Sequence, residues 1–199
     1  AYTYIRMAIT PTAVCAHGDA VTVQIHVRSN IQTAKVDDCY VRVTRSVGVP
    51  DLMVEDPATP GTWVTDGTYE NTATLQTVTQ SCGTAAVTYN YRLQNDGLAT
   101  STFTLNRTGT PFNWTVTIEQ RSGATWTDVT ELVVAGTHTV NVDSGQYATY
   151  RITVAPGAGL TNGSSTTIGL MDRAMTNVAS PYNTDAAQGV TTRRAMTTD

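Results

Sequence analysis

Residues 87–97 read VTYNYRLQNDG: Val87, Tyr89, Tyr91 and Leu93 alternate with Thr88, Asn90, Arg92 and Gln94, and the run breaks at Asn95-Asp96-Gly97. Period-two alternation sends the apolar set to one face of a sheet and the polar set to the other. Asn-Asp-Gly then supplies residues that tolerate positive φ where the chain reverses. The stretch is therefore a half-buried strand ending in a turn. The same grammar recurs in both directions from it. Val21, Val23, Ile25 and Val27 alternate with Thr22, Gln24, His26 and Arg28, and Cys39, Val41 and Val43 form a matching apolar face. A hairpin of 20–28 with 36–44 puts Cys39 opposite Ile25. Ile5, Met7 and Ile9 alternate with Arg6 and Ala8 and are closed by Pro11.

Further strands are expected at Leu52–Glu55, Thr72–Gln80, Thr84–Gln94, Thr100–Asn106, Asn113–Arg121, Thr137–Val142, Gln146–Val154, Thr166–Met175 and Gly189–Arg193. Such spacing, with Gly, Asn or Pro between strands, is the signature of sandwiches and barrels, and without crossover helices a parallel α/β fold is excluded. Asp128–Val134 is too short and too β-branched for a convincing helix and reads as strand or loop. The expected fold is all-β, an immunoglobulin-like antiparallel sandwich with essentially no helix.

Composition agrees. Charged residues are 14% of the 199 and Lys35 is the one lysine, so 39 threonines take over the solvent-facing positions of strands. A Thr-rich, Lys-poor β chain points to the extracellular space or the cell surface. The chain opens on Ala1, which suggests a mature form whose signal peptide has been removed. The net charge of −4 and scattered basic residues exclude nucleic acid as an expected partner, and no run of 18 apolar residues offers a membrane span. Pro50, Pro57, Pro60, Gly61 and Gly67 cluster between Val47 and Gly67. A linker there divides an N-terminal β region, 1–70, from a C-terminal sandwich, 71–199.

The order Pro50-Asp51-Leu52, Thr68-Tyr69, Tyr91 through Gly97, Thr102-Phe103-Thr104-Leu105, Asn113-Trp114-Thr115-Val116 and Tyr150-Arg151-Ile152-Thr153-Val154 resembles immunoglobulin-like repeat modules of large bacterial surface and secreted proteins, of the cell-adhesion-related, conserved-repeat kind. The resemblance covers Pro50 to Thr192 and implies adhesion or surface architecture. Those modules stand in tandem arrays, whereas one copy is present here behind three further strands, which implies a stand-alone subunit.

Three N-terminal strands cannot close a sandwich, and an open sheet leaves a bare apolar face and unpaired edges. Either Leu52–Glu55 and Thr72–Gln80 pair with them, or another copy adds a strand. The second route makes a head-to-tail homopolymer, with Ile5, Met7 and Ile9 as the anchors of the donated strand. The leading functional expectation is thus a self-assembling subunit of an extracellular filament or pilus-like fibre. The alternative is a monomeric adhesion or carbohydrate-binding module that recognises surface glycans or proteins. In that case Trp63 and Trp126, set among Thr, Gly and Asp, are the candidate sugar contacts, while Trp114 alternates with Val116 and Ile118 and belongs to the core.

No catalytic group is assigned. His17, His26 and His138 lie on separate segments, and no zinc, P-loop, dinucleotide or nucleophile-elbow motif occurs. No cofactor is required. If a cation is held, it is calcium on the acids near the linker, Asp37, Asp38, Asp51, Glu55, Asp56 and Asp66. Three cysteines, Cys15, Cys39 and Cys82, allow one internal disulfide of undetermined pairing.

Overall fold

The computed structural model describes residues 6–10, 20–28, 31, 36–44, 48–64, 66–69, 76–175 and 184–195. The chain divides into two units, Ala1–Ser46 with Asn177–Ser180, and Val47–Thr176 with Pro181–Asp199.

In the smaller unit, β1 (Ala20–Arg28) and β2 (Val36–Thr44) form the antiparallel hairpin that the alternation predicts, with Val21 opposite Val43, Val23 opposite Val41 and Ile25 opposite Cys39. The other face carries an exposed pair, His26 Nδ1 to Asp38 Oδ1 at 2.6 Å. On the apolar face Val21, Val27 and Val43 remain exposed. A two-stranded ribbon of this kind is marginal by itself in water. The strand expected around Ile5, Met7 and Ile9 is not formed among the described residues: 6–10 belong to no strand, Met7 is exposed and Ile9 half-buried. Backbone of this kind counts as a strand only when it is hydrogen-bonded to another, and 6–10 have no such partner among the described residues. Ile5 and Cys15 lie outside them.

The larger unit is a two-sheet sandwich. Its strands are β3 (Pro50–Glu55), β4 (Trp63–Val64), β5 (Thr77–Cys82), β6 (Val87–Asn95), β7 (Ser101–Thr108), β8 (Trp114–Ser122), β9 (Thr125–Asp128), β10 (His138–Val142), β11 (Tyr147–Pro156), β12 (Ser165–Ala174) and β13 (Thr184–Arg193). One sheet has the order β4-β3-β6-β11-β8-β9 and the other β10-β7-β12-β13-β5. Within them β3-β6-β11-β8 reproduces the A-B-E-D order and β7-β12-β13 the C-F-G order of the immunoglobulin fold. β5 joins the sheet opposite to that of β3, pairing with β13 in parallel, while every other pairing of the unit among the described residues is antiparallel. The architecture is all-β and immunoglobulin-like.

The strand quoted at the outset, β6, lies third in its sheet and shows why the pattern was legible. Tyr89, Tyr91 and Leu93 point into the sandwich and are at most 1% exposed. They meet Tyr150, Ile152 and Val154 of β11 and, from the facing sheet, Phe103 and Leu105 of β7 and Ile168 and Leu170 of β12. Each such side chain contributes about 1.5–3 kcal/mol by leaving water. Tyr89 buries its ring without stranding its hydroxyl, which lies 2.8 Å from both Val190 O and Thr191 Oγ1.

Two expectations need correction. The sandwich does not begin at 71: the strand expected at Leu52–Glu55, assigned to the N-terminal region, is Pro50–Glu55, a core strand of the sandwich whose Leu52 sits opposite Leu93. Of the Pro and Gly residues that suggested a linker, Pro50 opens β3, Pro57, Pro60 and Gly61 lie in the short loop between β3 and β4, and Gly67 follows β4. Asp128–Val134 is neither strand nor loop throughout, because Thr130–Val134 is one helical turn, α1. Asp128 Oδ1 accepts from the Thr130 N–H and hydroxyl at 2.8 and 2.6 Å, and Val133 is fully buried. Packing of one apolar residue thus overrides weak helix propensity.

Candidate functional site

Outward-facing residues of the six-stranded sheet assemble a cleft of about 240 Å³, lined by Glu55, Trp63, Asn90, Arg92, Arg121, Trp126, Tyr147 and Thr149. The alternation of β6 sends Asn90 and Arg92 to the same face, and the register does the rest. Glu55 sits opposite Trp63, Thr149 opposite Arg92, and Arg121 opposite Trp126. Trp63 comes from edge strand β4 and Trp126 from edge strand β9. At roughly 4.8 Å per strand those edges stand about 24 Å apart. The two indoles therefore bracket the cleft from opposite sides. Enclosed small-molecule pockets are usually larger, about 300–1,000 Å³; this is a shallow groove across a sheet.

Cation–π contacts hold the groove's walls. The Arg92 guanidinium lies 4.2 Å from the centre of the Trp63 ring and 4.3 Å from that of Tyr147, so it is clamped between two aromatic planes. Arg151 lies 4.4 Å over Trp126 and forks onto Glu119, with Nε to Oε2 at 2.5 Å and an Nη to Oε1 at 2.9 Å. That bridge holds the Glu119 carboxyl below its ordinary pKa and the Arg151 guanidinium above its own. Glu55, the acid lining the cleft, is engaged on both oxygens, by Asn90 Nδ2 and by the Gly61 N–H, each at 2.6 Å. Of the residues singled out from sequence, Trp63 and Trp126 are brought into one site together with Glu55. Arg92, Arg121, Asn90, Tyr147 and Thr149 were missed as site residues. Arg92 and Asn90 carried a signal all the same, as the polar positions of an alternating strand.

A second cluster lies where β3 and β13 begin and β12 ends. Asp172 and Asp185 are cross-strand partners, and with Asp51 they are fully buried. Asp185 accepts the Leu52 N–H at 2.6 Å and the Gln76 side-chain amide at 3.1 Å, Asp172 Oδ1 accepts the Asp185 N–H at 2.9 Å, and Asp51 Oδ2 accepts the Gly67 N–H at 2.8 Å. Gln76 also donates to Thr68 O. Asp51 Oδ1 and Asp172 Oδ2 are buried without a hydrogen-bond partner. Burial, reinforced by Asp185 and Asp96, pushes Asp51 up to about 7. Burial and the neighbouring Asp185 push Asp172 well above the carboxylate range.

The acids proposed for calcium are not gathered as expected. Asp51 and Asp66 approach each other, but Asp51 otherwise keeps company with Asp172 and Asp185, distant in sequence. Asp37 and Asp38 lie on β2, in the smaller unit. Asp56 accepts the Ala58 N–H at 2.9 Å and the Thr59 hydroxyl at 2.8 Å inside its own turn. Among the described residues no group of three His, Cys, Asp or Glu side chains is arranged to hold a metal ion. Cys39 is exposed and Cys82 buried, both as free thiols. Burial pushes the Cys82 thiol up.

No protein-family model matches the chain, and no curated protein does. Among solved structures, a FixG-related protein from Vibrio parahaemolyticus is similar over 73% of this chain and 96% of its own, at 12% identity and a TM-score of 0.39. A protein of unknown function from Porphyromonas gingivalis W83 is similar over 92% of this chain and 68% of its own, at 12% identity and a TM-score of 0.41. A PapD-like domain of human CEP192 is similar over 79% and 92%, at 8% identity and a TM-score of 0.36. These likenesses are too distant to bear on function.

Proposed function

We propose that the larger unit is an extracellular glycan-binding module whose ligand lies across the open face of the six-stranded sheet. The observation that carries this reading is that Trp63 and Trp126, from opposite edge strands, line one polar cleft. A sugar ring has an apolar C–H face that stacks on an aromatic plane and an equatorial belt of hydroxyls that needs donors and acceptors. Flat aromatic surfaces flanked by convergent polar groups answer both demands. Asn90, Thr149, Glu55 and Arg121 are the polar groups here. A chain ligand can run through a groove open at its ends, and the abundance of threonine on the remaining surface suits an extracellular setting. Trp63→Ala and Trp126→Ala are each expected to weaken binding to a cognate polysaccharide about tenfold or more, close to 1.4 kcal/mol, in affinity electrophoresis against a panel of soluble glycans. Trp114 is buried in the core, so its indole is not expected to respond to ligand. Retention of full affinity by both variants would remove this reading.

Fibre assembly is a second reading, supported by the hairpin β1–β2, whose apolar face keeps Val21, Val27 and Val43 exposed. A strand added by another copy would cover that face and pair an open edge. Light scattering and electron microscopy over a hundredfold range of concentration are expected to reveal filaments that disappear when 1–10 are deleted. Dispersed single chains at every concentration would dismiss assembly while leaving the cleft intact.

A further inference from the structure

Resting on the glycan-binding reading, we infer that the cleft selects acidic polysaccharides, those bearing carboxylate or sulfate groups, and that Arg92 is the residue that reads the anion. Three observations lead there. First, Arg92 stands between Trp63 and Tyr147 with its guanidinium 4.2 and 4.3 Å from the two ring centres. The rings fix the plane of the fork and leave its edge as the part able to donate hydrogen bonds. Second, that edge is not committed: the Arg92 Nε is buried without a hydrogen-bond partner, and among the described residues Arg92 forms no ion pair. Glu55, the acid in the cleft lining, already has one oxygen on Asn90 and the other on the Gly61 N–H. The contrast with Arg151 is direct, since that arginine also stacks on a tryptophan but has its fork closed by Glu119. Third, a second cation, Arg121, lines the same cleft opposite Trp126, with its Nε donating to Gly123 O at 3.0 Å and no ion pair among the described residues.

A planar guanidinium matches the two oxygens of a carboxylate or sulfate through paired N–H···O bonds, and preorganisation between two rings lowers the conformational cost of forming them. An unpaired, partly desolvated charge is costly to keep; an incoming anion relieves it, and a neutral sugar does not. With Arg92 and Arg121 against Glu55, the lining carries a net positive charge on a protein whose overall charge is −4. The positive character is therefore local to the groove.

The test uses the full chain and three classes of polymer: polygalacturonate for carboxylate, dextran sulfate for sulfate, and neutral dextran and galactan. Binding is followed by intrinsic tryptophan fluorescence, which Trp63 and Trp126 report, and by calorimetry. Wild type is expected to bind one or both acidic polymers at least about tenfold more tightly than the neutral ones, with affinity falling as salt is raised through the screening range. Which acidic polymer binds more tightly identifies the anion. Arg92→Gln is expected to remove the preference for acidic polymer, and Arg92→Lys, which keeps the charge but not the fork, to lose most of it. Thermal melts of both variants show that the fold persists, and Arg121→Gln, at an exposed position, serves as a second variant expected to lower acidic binding by a smaller factor. Equal affinity for neutral and acidic polymers, or an acidic preference untouched in Arg92→Gln, overturns the inference while leaving a glycan-binding module standing. Absence of binding to every polymer, acidic or neutral, sinks the glycan reading and this inference with it.

Discussion

Asp172→Asn is expected to raise the midpoint of thermal unfolding at pH 8 by about 4–8 °C and to flatten its dependence on pH. The reason lies in the cross-strand pairing of Asp172 with Asp185 on the inner face of β12 and β13, beside Asp51 on β3. Like charges directly opposite one another on neighbouring strands are destabilising even on a wet surface, and burial adds the cost of desolvating each carboxylate. Burial acts most on Asp172 and raises it, Asp185 and Asp51 raise it further against the lowering effect of the Asp185 N–H, and Asp172 in turn raises the buried Tyr150 phenol. Around Asp51 stand Asp185, Asp96 and Asp66, with Tyr69 donating its hydroxyl to Asp96 at 2.7 Å. The fold therefore favours the protonated forms of Asp51 and Asp172 more than the unfolded chain does.

The direction with pH follows. Asp51 titrates near 4 when unfolded and at about 7 when folded, so its share of stability is complete below the unfolded value and is lost as pH rises toward 7. Asp172, raised by its burial and by the neighbouring Asp185, loses its share of stability in the same direction as pH rises. Wild type is thus expected to be more resistant to heat at pH 5 than at pH 8. The asparagine side chain of the variant would keep an oxygen for the Asp185 N–H and can carry no charge where Oδ2 of Asp172 is buried without a partner. A gain of roughly 2 kcal/mol at pH 8 corresponds to the stated shift at about 2–4 °C per kcal/mol for a unit of this size. Differential scanning calorimetry from pH 4.5 to 9 measures it. Parallel curves for wild type and variant would place the titration elsewhere. A wild-type midpoint that climbs on adding calcium at pH 8, and stops doing so in Asp172→Asn, would assign the cluster to cation binding instead.

Gly189→Ala is expected to cost about 3 kcal/mol, a fall of roughly 6–12 °C in the unfolding midpoint. A Cβ at this position of β13 would lie 2.7 Å from two ring carbons of Tyr89 and 2.8 Å from a third. Those are distances that real side chains do not adopt, and the ring has no room to retreat. Tyr89 is 1% exposed and its hydroxyl is tied to Val190 and Thr191 on the same strand as the glycine. One sheet thus uses the missing side chain of the other as the seat for its aromatic ring. The paired variant Gly189→Ala with Tyr89→Leu is expected to be destabilised by less than the sum of the two single changes, because the smaller side chain yields the space. Additivity within about 0.5 kcal/mol in urea denaturation would show that the two residues do not meet.

Most strands could be read directly because their physics is local. Each alternating run, such as Val87–Asn95 or Tyr147–Pro156, carries its own division into inner and outer faces. The hairpin β1–β2 was legible to the register because pairing the whole of 20–28 with the whole of 36–44 aligns Val21, Val23 and Ile25 with Val43, Val41 and Cys39. The elements that escaped were those whose identity depends on a neighbour. Trp63–Val64 and Thr125–Asp128 are strands only because β3 and β8 offer an edge. The start of β13, Asp185-Ala186-Ala187, has no alternation to display because all three residues are buried. Leu52–Glu55 was expected as a strand, but Pro50–Glu55 is buried or nearly so throughout and shows no alternation, so its place beside β6 in the core was not visible until the sheet was assembled.

The same division separates what the chain's order of residues determined from what three dimensions decided. Composition and alternation by themselves specified an all-β, Thr-rich sandwich with an inner face of tyrosines and aliphatics, since hydrophobic burial acts on each strand's own period. They also singled out Trp63 and Trp126 as a tryptophan pair outside the core. That the two indoles border one cleft, that Arg92 from a third strand is clamped between Trp63 and Tyr147, and that Asp51, Asp172 and Asp185 share one dry corner were decided only by sheet order and register. These groups lie tens to more than a hundred residues apart, and no local pattern encodes which outward side chains a sheet will set side by side.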